Sequence, residues 1–244
     1  MLSGTRFMSK DVEFWFHARQ RIFRLARIDS SHKLVFGSNL HKYEIFHPVP
    51  EERICAFETE NCVQLPPEFR SFLTTFGAGG AGPDYGVFNF FEIDAANVRM
   101  PFHLTETTSW PDDDDDPMWE LPGLLTIATS GCAIDWSIEI NGPQPGTMWV
   151  NAGPGDSLMR CDTFGTWYEK WLDRVELGLQ KHELVSGLIA SGATIDEITG
   201  RCGVEPEKFD WDGVAYLRFP GIPGRIRADG NRVASFDIGT CWIM

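Results

Sequence analysis

The most constraining pattern in this 244-residue chain is an apolar stripe that begins just after two consecutive prolines at positions 66 and 67. Its members are spaced at i, i+3, i+4 and i+7, namely Phe69, Phe72, Leu73 and Phe76. This spacing places all four side chains on one face of a helix. Gly77 follows, where a left-handed C-terminal residue is expected. The stripe therefore predicts a helix packed into a core, with Phe72 inside it.

The same helical spacing of apolar side chains predicts four further helices. Residues 10–27, after Ser9 as a candidate N-cap, carry an apolar stripe that includes Val12, Trp15, Phe16, Ile22 and Phe23. Pro50 opens a second helix that ends near residue 61, with Ile54 and Phe57 directed inward. A third contains a capping-box pattern, Thr166 with Glu169, and a stripe at 167, 171, 172, 175 and 179. A short helix spans residues 194–200.

Strand patterns occupy the middle of the chain. Residues 87–93 and 124–129 are apolar runs, and residues 134–141 alternate between apolar and polar side chains. This alternation predicts a strand with one buried face and one wet face. The Gly-Pro linker at 142–146 predicts a hairpin into residues 147–150, and Asp229-Gly230 predicts a second hairpin near the C-terminus.

Charge excludes one broad class of partner. The chain carries 21 Lys plus Arg against 35 Asp plus Glu, a net charge of -14. Binding to nucleic acid depends on clustered basic residues, so a direct nucleic-acid partner is not expected. Six scattered cysteines without a CxxC pair indicate reduced thiols. With no signal-peptide pattern and no membrane-spanning run, we expect a cytoplasmic protein that does not contact a membrane.

The negative charge is concentrated in residues 84–120, which hold ten acidic side chains against Arg99 alone. The densest part is a run of five aspartates, 112–116, between two prolines, which predicts a loop. Trp110 and Trp119 flank this run outside any apolar stripe. They either anchor the loop or form interface hot spots, and the anchor interpretation is slightly favoured. The loop itself is either solvated or a partner site.

No motif predicts a cofactor, a metal or catalysis. The Gly-rich segment 77–82 closes a helix and enters a strand, whereas a dinucleotide loop follows a strand and opens a helix. The aspartate run has the spacing of an EF-hand at three positions, but Pro117 and Gly123 stand where Gly and Glu are required. The six histidines lack metal-ligand spacing, and no nucleophile stands in a recognised motif. We therefore expect a protein that is not an enzyme.

Several stretches together resemble the SMI1/KNR4 family, also called the SUKH superfamily. They are Phe36-Gly-Ser-Asn-Leu-His-Lys-Tyr43, Phe57-Glu58 with Val63-Gln-Leu-Pro-Pro-Glu-Phe-Arg-Ser-Phe-Leu73, Gly77-Ala-Gly-Gly-Ala-Gly-Pro-Asp-Tyr-Gly86, and Phe164-Gly-Thr-Trp-Tyr-Glu-Lys-Trp-Leu172. Their shared order carries the resemblance, which covers most of residues 12–180. It implies a single α+β domain, with a mixed, mostly antiparallel sheet flanked by helices, over residues 1–182. Residues 183–244 then form a C-terminal extension.

The resemblance also implies a function. Bacterial members are frequently immunity proteins, which bind and neutralise a polymorphic toxin that is often a nuclease, and fungal relatives resemble regulatory interaction proteins. We therefore expect a protein-binding module whose partner is a basic toxin domain. A regulatory scaffold is the first alternative. A small-molecule binder or enzyme with a pocket near the Gly-rich segment is the second.

The expected contact residues come from the acidic stretch and its flanking aromatic side chains. They are Asp84, Tyr85, Glu92, Asp94, Trp110, Asp112, Asp113, Asp114, Asp115, Asp116, Trp119 and Glu120.

Overall fold

The computed structural model describes residues 8–109, 120–152, 157–211 and 213–237, with side chains from residue 12 onward. The α-helices are α1 (Met8–Ile28), α2 (Ser38–His41), α3 (Glu51–Asn61), α4 (Pro67–Ser71), α5 (Phe164–Ala190) and α6 (Ile195–Cys202). The strands are β1 (Thr108–Ser109), β2 (Leu124–Gly131), β3 (Ile134–Glu139), β4 (Thr147–Asn151), β5 (Ser157–Thr163), β6 (Glu207–Trp211), β7 (Val214–Arg218), β8 (Arg225–Asp229) and β9 (Arg232–Asp237). Within this part of the chain no helix has the length and apolar character needed to cross a membrane.

These strands form two antiparallel sheets. The first has the order β1-β5-β4-β3-β2, and the second has the order β6-β7-β8-β9. The part of the chain that the structure describes is 38% helical and 26% strand, which confirms the predicted α+β class. Both predicted hairpins are confirmed, since β3 pairs with β4 and β8 pairs with β9.

The Gly-rich segment extends the first sheet beyond β2. Single backbone bridges join Ala128 to Val87, Val87 to Gly80, and Gly80 to Ile45. A Cβ atom at Gly80 would lie 2.2 Å from the carbonyl oxygen of Glu44, so only glycine permits this close approach. The segment therefore serves the packing of backbone against backbone.

The predicted strand over residues 87–93 is wrong beyond Val87. Phe90–Glu92 instead form a turn of 3-10 helix, and the Asn89 side chain caps it by accepting a hydrogen bond from the Phe91 N–H. The local cap competes with strand pairing, which is why an apolar run did not continue as a strand.

The helix predicted from the phenylalanine stripe is present, but its second half is a π-helix rather than an α-helix. α4 continues into a π-helical turn, Phe72–Phe76, in which the Gly77 N–H donates to the Phe72 carbonyl oxygen. Gly77 is extended (φ 160°, ψ 171°) rather than left-handed, which corrects the expectation for its backbone. Glycine is required there because a Cβ would lie 2.3 Å from the Phe46 carbonyl oxygen.

α1 buries only part of the stripe that the sequence predicted to face inward. Its buried residues are Trp15, Ala18, Ile22 and Leu25, whereas Val12, Phe16 and Phe23 are exposed. The stripe is wide enough to wrap around the helix, but the main neighbours of α1 among the described elements are the π-helical turn, α4 and α5, and the side that carries Val12, Phe16 and Phe23 stays exposed. Ser9 lies within α1 and is not its N-cap, because the residue before it is already helical.

The wet face predicted for the alternating strand β3 is also wrong. Ser137 and Glu139 are fully buried, because a small cluster of Phe102, Leu124, Trp149 and Leu158 covers that side of the sheet. The Glu139 carboxylate accepts hydrogen bonds from the Gln144 backbone N–H and from Trp149 Nε1. Burial of this carboxylate is compensated by these donors.

α5 begins one turn earlier than the capping box predicted. Thr163, at the end of β5, accepts from the Thr166 N–H, so Thr163 is the N-cap. The helix then runs without interruption through residue 182 to Ala190. The predicted short helix is α6, with a capping box formed by Thr194 and Glu197.

The protein has two main apolar clusters, which meet along α5. The first joins α1, α3, α4, the first sheet and α5 as far as Leu179. The second starts at Val185 on α5 and includes Ile195, Ile198, Cys202, Leu217, Phe219, Ile222 and Ile226. The C-terminal residues thus have a core of their own, and the division of the chain at residue 182 stays a prediction.

Replacing Phe72 with Ala should lower the free energy of unfolding by about 3–5 kcal/mol, because Phe72 is fully buried and packs edge-on against Trp15 and Phe164. The measurement is denaturant unfolding. Phe16→Ala is the matched control, since this ring is 56% exposed and its loss should change stability by less than about 1 kcal/mol. Equal losses in the two variants would contradict the assignment of the core face.

Replacing Ile198 with Ala should destabilise the second cluster by about 2–5 kcal/mol while leaving the first cluster unchanged. Amide hydrogen exchange measures both regions in one experiment. We expect faster exchange in α6 and β6–β9 and unchanged exchange in α4 and β2–β4. Loss of protection throughout the chain would show that the two clusters unfold together.

Candidate functional site

Three of the expected contact residues come together in one shallow groove, which we call the acidic groove. Glu92, Asp94 and Glu120 are exposed and line a cavity of about 330 Å³ beside the start of β2. Local bonds fix two of them: Asn89 Nδ2 donates to Glu92, and Asp94 accepts from the Ala96 N–H at 2.9 Å. Asn97 Nδ2 donates to the Glu120 carbonyl oxygen at 2.7 Å and ties this residue to the same wall. Three carboxylates therefore share one exposed surface.

Asp84 and Tyr85 lie at the opposite end of β2. The Tyr85 N–H donates to the Thr129 carbonyl oxygen, and the Phe88 N–H donates to that of Ile127, so this segment runs beside β2. The Tyr85 ring packs on Phe36 with a centroid distance of 5.3 Å. The structure therefore separates these two residues from the acidic groove. The remaining expected contacts, Trp110, Asp112–Asp116 and Trp119, lie outside the described residues.

Asp84 belongs to a second concavity, which we call the aromatic groove. It lies between α5 and the turn joining β2 to β3, and its volume is about 490 Å³. Its walls are mostly apolar, with Phe36, Trp136, Trp167 and Trp171 as the aromatic members. Sequence analysis assigned the two α5 tryptophans to the core and did not single out this groove. The sequence feature that could have indicated the groove is the i, i+3, i+4, i+7 spacing of Trp167, Lys170, Trp171 and Arg174, which places these side chains along one side of α5.

The Asp84 carboxylate is held in place by two donors. Trp136 Nε1 donates to Asp84 Oδ2 at 2.8 Å, and the Ser130 hydroxyl donates to the same oxygen at 2.5 Å. Trp136 also packs on Trp167 at a centroid distance of 5.4 Å. The carboxylate, the indole and the hydroxyl therefore form one oriented unit in the groove.

Other charges lie on the α5 wall of the aromatic groove. Lys170 Nζ lies 2.6 Å from Asp162 Oδ2, and both side chains are largely exposed. The opposite charges of Lys170 and Asp162 therefore cancel each other. Arg174 is exposed one turn beyond Lys170. Asp84 lines the same groove, and its carboxylate is bonded to Ser130 on β2 and Trp136 on β3.

A tight turn forms the opposite wall. Cys132 and Ala133 both have positive φ values, 52° and 62°, directly after Gly131 at 79°. Two central residues with positive φ match the hairpin turn whose twist suits antiparallel strands, but this turn normally contains Asn and Gly. A side chain other than Gly, Asn or Asp in this conformation carries strain, which the surrounding pairing of β2 and β3 maintains.

A buried polar cluster supports the aromatic groove from behind. Asp29 is fully buried and accepts from the Lys33 and Leu34 N–H groups and from the Tyr43 hydroxyl. Burial, with Asp29 nearby, raises the pKa of Tyr43 well above its ordinary value. His41 Nδ1 accepts from the Tyr43 N–H, and the His41 ring lies edge-on to Trp171 at 6.2 Å. His41 is therefore a packing residue, one of the two alternatives open for the histidines.

The described residues contain no group of three or more His, Cys, Asp or Glu side chains arranged to hold a metal ion. The five cysteines in this part of the chain are free thiols. The two grooves thus present different chemistry: acidic side chains at one end of β2, and at the other an aromatic surface with Asp84 and the Lys170–Asp162 ion pair.

Acid should destabilise the protein through His41. Burial lowers the pKa of His41 from 6.5 to about 4, partly offset by Asp29, because His41 Nε2 is buried without a partner among the described residues. Between these pH values His41 is protonated in the unfolded chain but stays neutral in the folded protein. Stability is therefore complete above pH 6.5 and falls as the pH drops towards 4, by up to about 3 kcal/mol.

Unfolding by denaturant at a series of pH values from 7.5 to 4 measures this effect. His41→Asn keeps an acceptor near the Tyr43 N–H but does not titrate, so its stability should depend less steeply on pH than that of the wild type. His103→Asn, at an exposed position, is the control and should keep the wild-type slope. Identical slopes in all three proteins would show that His41 does not cause the acid sensitivity.

Comparison with known proteins agrees with the resemblance noted in the sequence. The SMI1 / KNR4 family (SUKH-1) matches residues 48–170, slightly more than half of the chain, from the start of α3 into α5. No curated protein and no solved structure matches significantly. The matched segment contains the whole acidic groove and, in the aromatic groove, Asp84, Ser130, Trp136 and Trp167. The chain therefore belongs to the SMI1/KNR4 family (SUKH-1).

Proposed function

We propose that this protein is a non-enzymatic protein-binding module of the immunity type, which neutralises a toxin by covering a basic surface of it. Membership of the SMI1/KNR4 family is consistent with such a role. The site that we assign to first contact is the acidic groove, defined by Glu92, Asp94 and Glu120.

The observation that supports this proposal is that three acidic residues line one exposed groove. They come from two segments of the chain, and side-chain and backbone hydrogen bonds hold both segments in place. Three like charges on one exposed surface repel each other, so folding does not benefit from the arrangement. A partner with complementary positive charge would relieve that repulsion, and this supports a binding role for the surface.

The chemistry of the partner follows from the same charges. A nuclease or another enzyme acting on nucleic acid has a positively charged substrate channel. An inhibitor with a cluster of carboxylates imitates the phosphates that the channel receives, and it also accelerates encounter by electrostatic steering. A basic toxin of this class is therefore the partner that we propose.

A regulatory interaction protein, like the fungal relatives, would use the same acidic surface with a partner that is not toxic. Growth of cells that express the captured partner separates the two roles. In the immunity role, the partner alone arrests growth and co-expression of this protein restores it. A partner that leaves growth unchanged would favour the regulatory role.

Neutralising the acidic groove should slow association with the captured, purified partner. The triple variant Glu92→Gln, Asp94→Asn and Glu120→Gln keeps the size of the side chains and one accepting oxygen in each. We expect an association rate at least about tenfold lower at low salt, with the difference shrinking as salt screens the charges. Stopped-flow or surface-binding kinetics at several salt concentrations measure both quantities.

The matched control removes the same amount of charge elsewhere, with Glu183→Gln, Glu205→Gln and Asp229→Asn, all of which are exposed and outside the acidic groove. It should retain an association rate near that of the wild type. If the two triple variants slow association equally, net charge alone steers the partner. If neither does, another surface makes the contact.

A further inference from the structure

We propose that the aromatic groove receives one arginine side chain of the partner, with Asp84 as the carboxylate that pairs with its guanidinium. The inference rests on the proposed protein-binding function and gives it a specific anchor, distinct from the acidic groove. Its basis is the combination of an oriented carboxylate, several aromatic side chains and a concavity of about 490 Å³.

The Asp84 carboxylate is oriented and can accept further hydrogen bonds from a ligand. Both recorded hydrogen bonds, from Trp136 Nε1 and from the Ser130 hydroxyl, reach Oδ2. No donor among the described residues is recorded at Oδ1, although Asp84 lines the groove and is only half-buried. An ionised carboxylate accepts about four hydrogen bonds, so this group retains accepting capacity where a ligand would enter. The two donors fix its orientation before any ligand arrives.

The aromatic walls select the kind of cation. The Trp136 indole is bonded edge-on to Asp84, so a group that pairs with the carboxylate lies close to an indole ring. A guanidinium is planar, stacks on aromatic faces and is weakly hydrated, whereas an ammonium is compact and strongly hydrated. A carboxylate next to an indole therefore favours arginine over lysine, because arginine can use both partners at once.

The cations of the groove restrict where the guanidinium binds. Lys170 is paired with Asp162, and Arg174 is exposed on the α5 wall, where it repels a second cation. We therefore place the guanidinium at the Asp84 side, against the turn that joins β2 to β3. Half-buried Trp136 lies on this side, while Trp167 and Trp171 are almost fully buried and supply the apolar floor.

The test uses the full chain labelled with nitrogen-15 and a blocked tripeptide, acetyl-Gly-Arg-Gly-amide, as the probe. The indole N–H signal of Trp136, identified by its loss in Trp136→Phe, should shift and saturate as the peptide is added. The same peptide with norleucine in place of arginine keeps the apolar stem without the charge, and it should bind at least about tenfold more weakly. An equal response to both peptides, or no saturable shift, would overturn the proposal.

Asp84→Asn is the matched variant, because an amide oxygen still accepts from Trp136 and Ser130 but carries no charge. We expect the arginine peptide to bind at least about tenfold more weakly to it, with the unfolding transition unchanged. Asp229→Asn, at an exposed position that lines neither groove, makes the same chemical change and should bind the peptide like the wild type. If Asp84→Asn binds the peptide as tightly as the wild type does, Asp84 is not the anchor.

Binding of the captured partner separates this inference from the proposed function. If Asp84→Asn binds that partner with unchanged affinity while the acidic-groove variant associates slowly, the arginine site is wrong and the protein-binding role stands. If the arginine peptide binds at Asp84 but no protein partner is captured, the proposed function is wrong. The inference that the groove binds an arginine side chain then still stands.

Discussion

The packing of aromatic rings around Trp15 holds together the helices on which both grooves depend. The Trp15 ring contacts Phe72, Phe164 and Tyr168 at centroid distances of 5.0, 5.4 and 5.3 Å. These residues belong to the π-helical turn and to α5, so one side chain of α1 connects three elements that are far apart in sequence. Fully buried aromatic side chains contribute large apolar areas, and their edge-to-face contacts add to that contribution. This cluster therefore fixes α5 against α1 and the π-helical turn.

The position of α5 then determines the aromatic groove. Tyr168 points into the cluster and donates through its hydroxyl to the Ala81 carbonyl oxygen, which ties α5 to the Gly-rich segment. Trp167 and Trp171, on either side of Tyr168 along the helix, reach the groove. Backbone bridges from Gly80 to Val87 and from Val87 to Ala128 hold this part of the chain beside β2, and Asp84 lines the same groove as these tryptophans. A helix, a glycine-rich segment and a strand are thus all needed to assemble the aromatic groove.

The two grooves occupy opposite ends of β2 and suit different steps of association. Exposed carboxylates act over several ångströms through solvent and mainly affect the rate of encounter. A partly buried carboxylate beside indole rings acts only at contact and affects how long a complex lasts. If both act on one partner, it carries a basic surface with at least one protruding arginine. A positive substrate channel that is built to hold phosphates has both features.

Short-range patterns and the order of motifs were enough to predict five of the six α-helices in the described residues, the strands β2, β3 and β4, both hairpins and the family, whereas α2, β1 and β5–β7 were not predicted. The sequence also placed Glu92, Asp94, Asp84 and Glu120 among the expected contacts, since local charge density is visible in the chain. Only the tertiary structure decided which faces are covered: Phe16 is exposed because α1 has neighbours on one side only, and Glu139 is buried because a second cluster covers β3. It also decided that Asp84 and Trp136, 52 residues apart, share a hydrogen bond. A contact of this kind depends on how residues 83–88 pack beside the hairpin of β2 and β3, and no local sequence pattern indicates that packing.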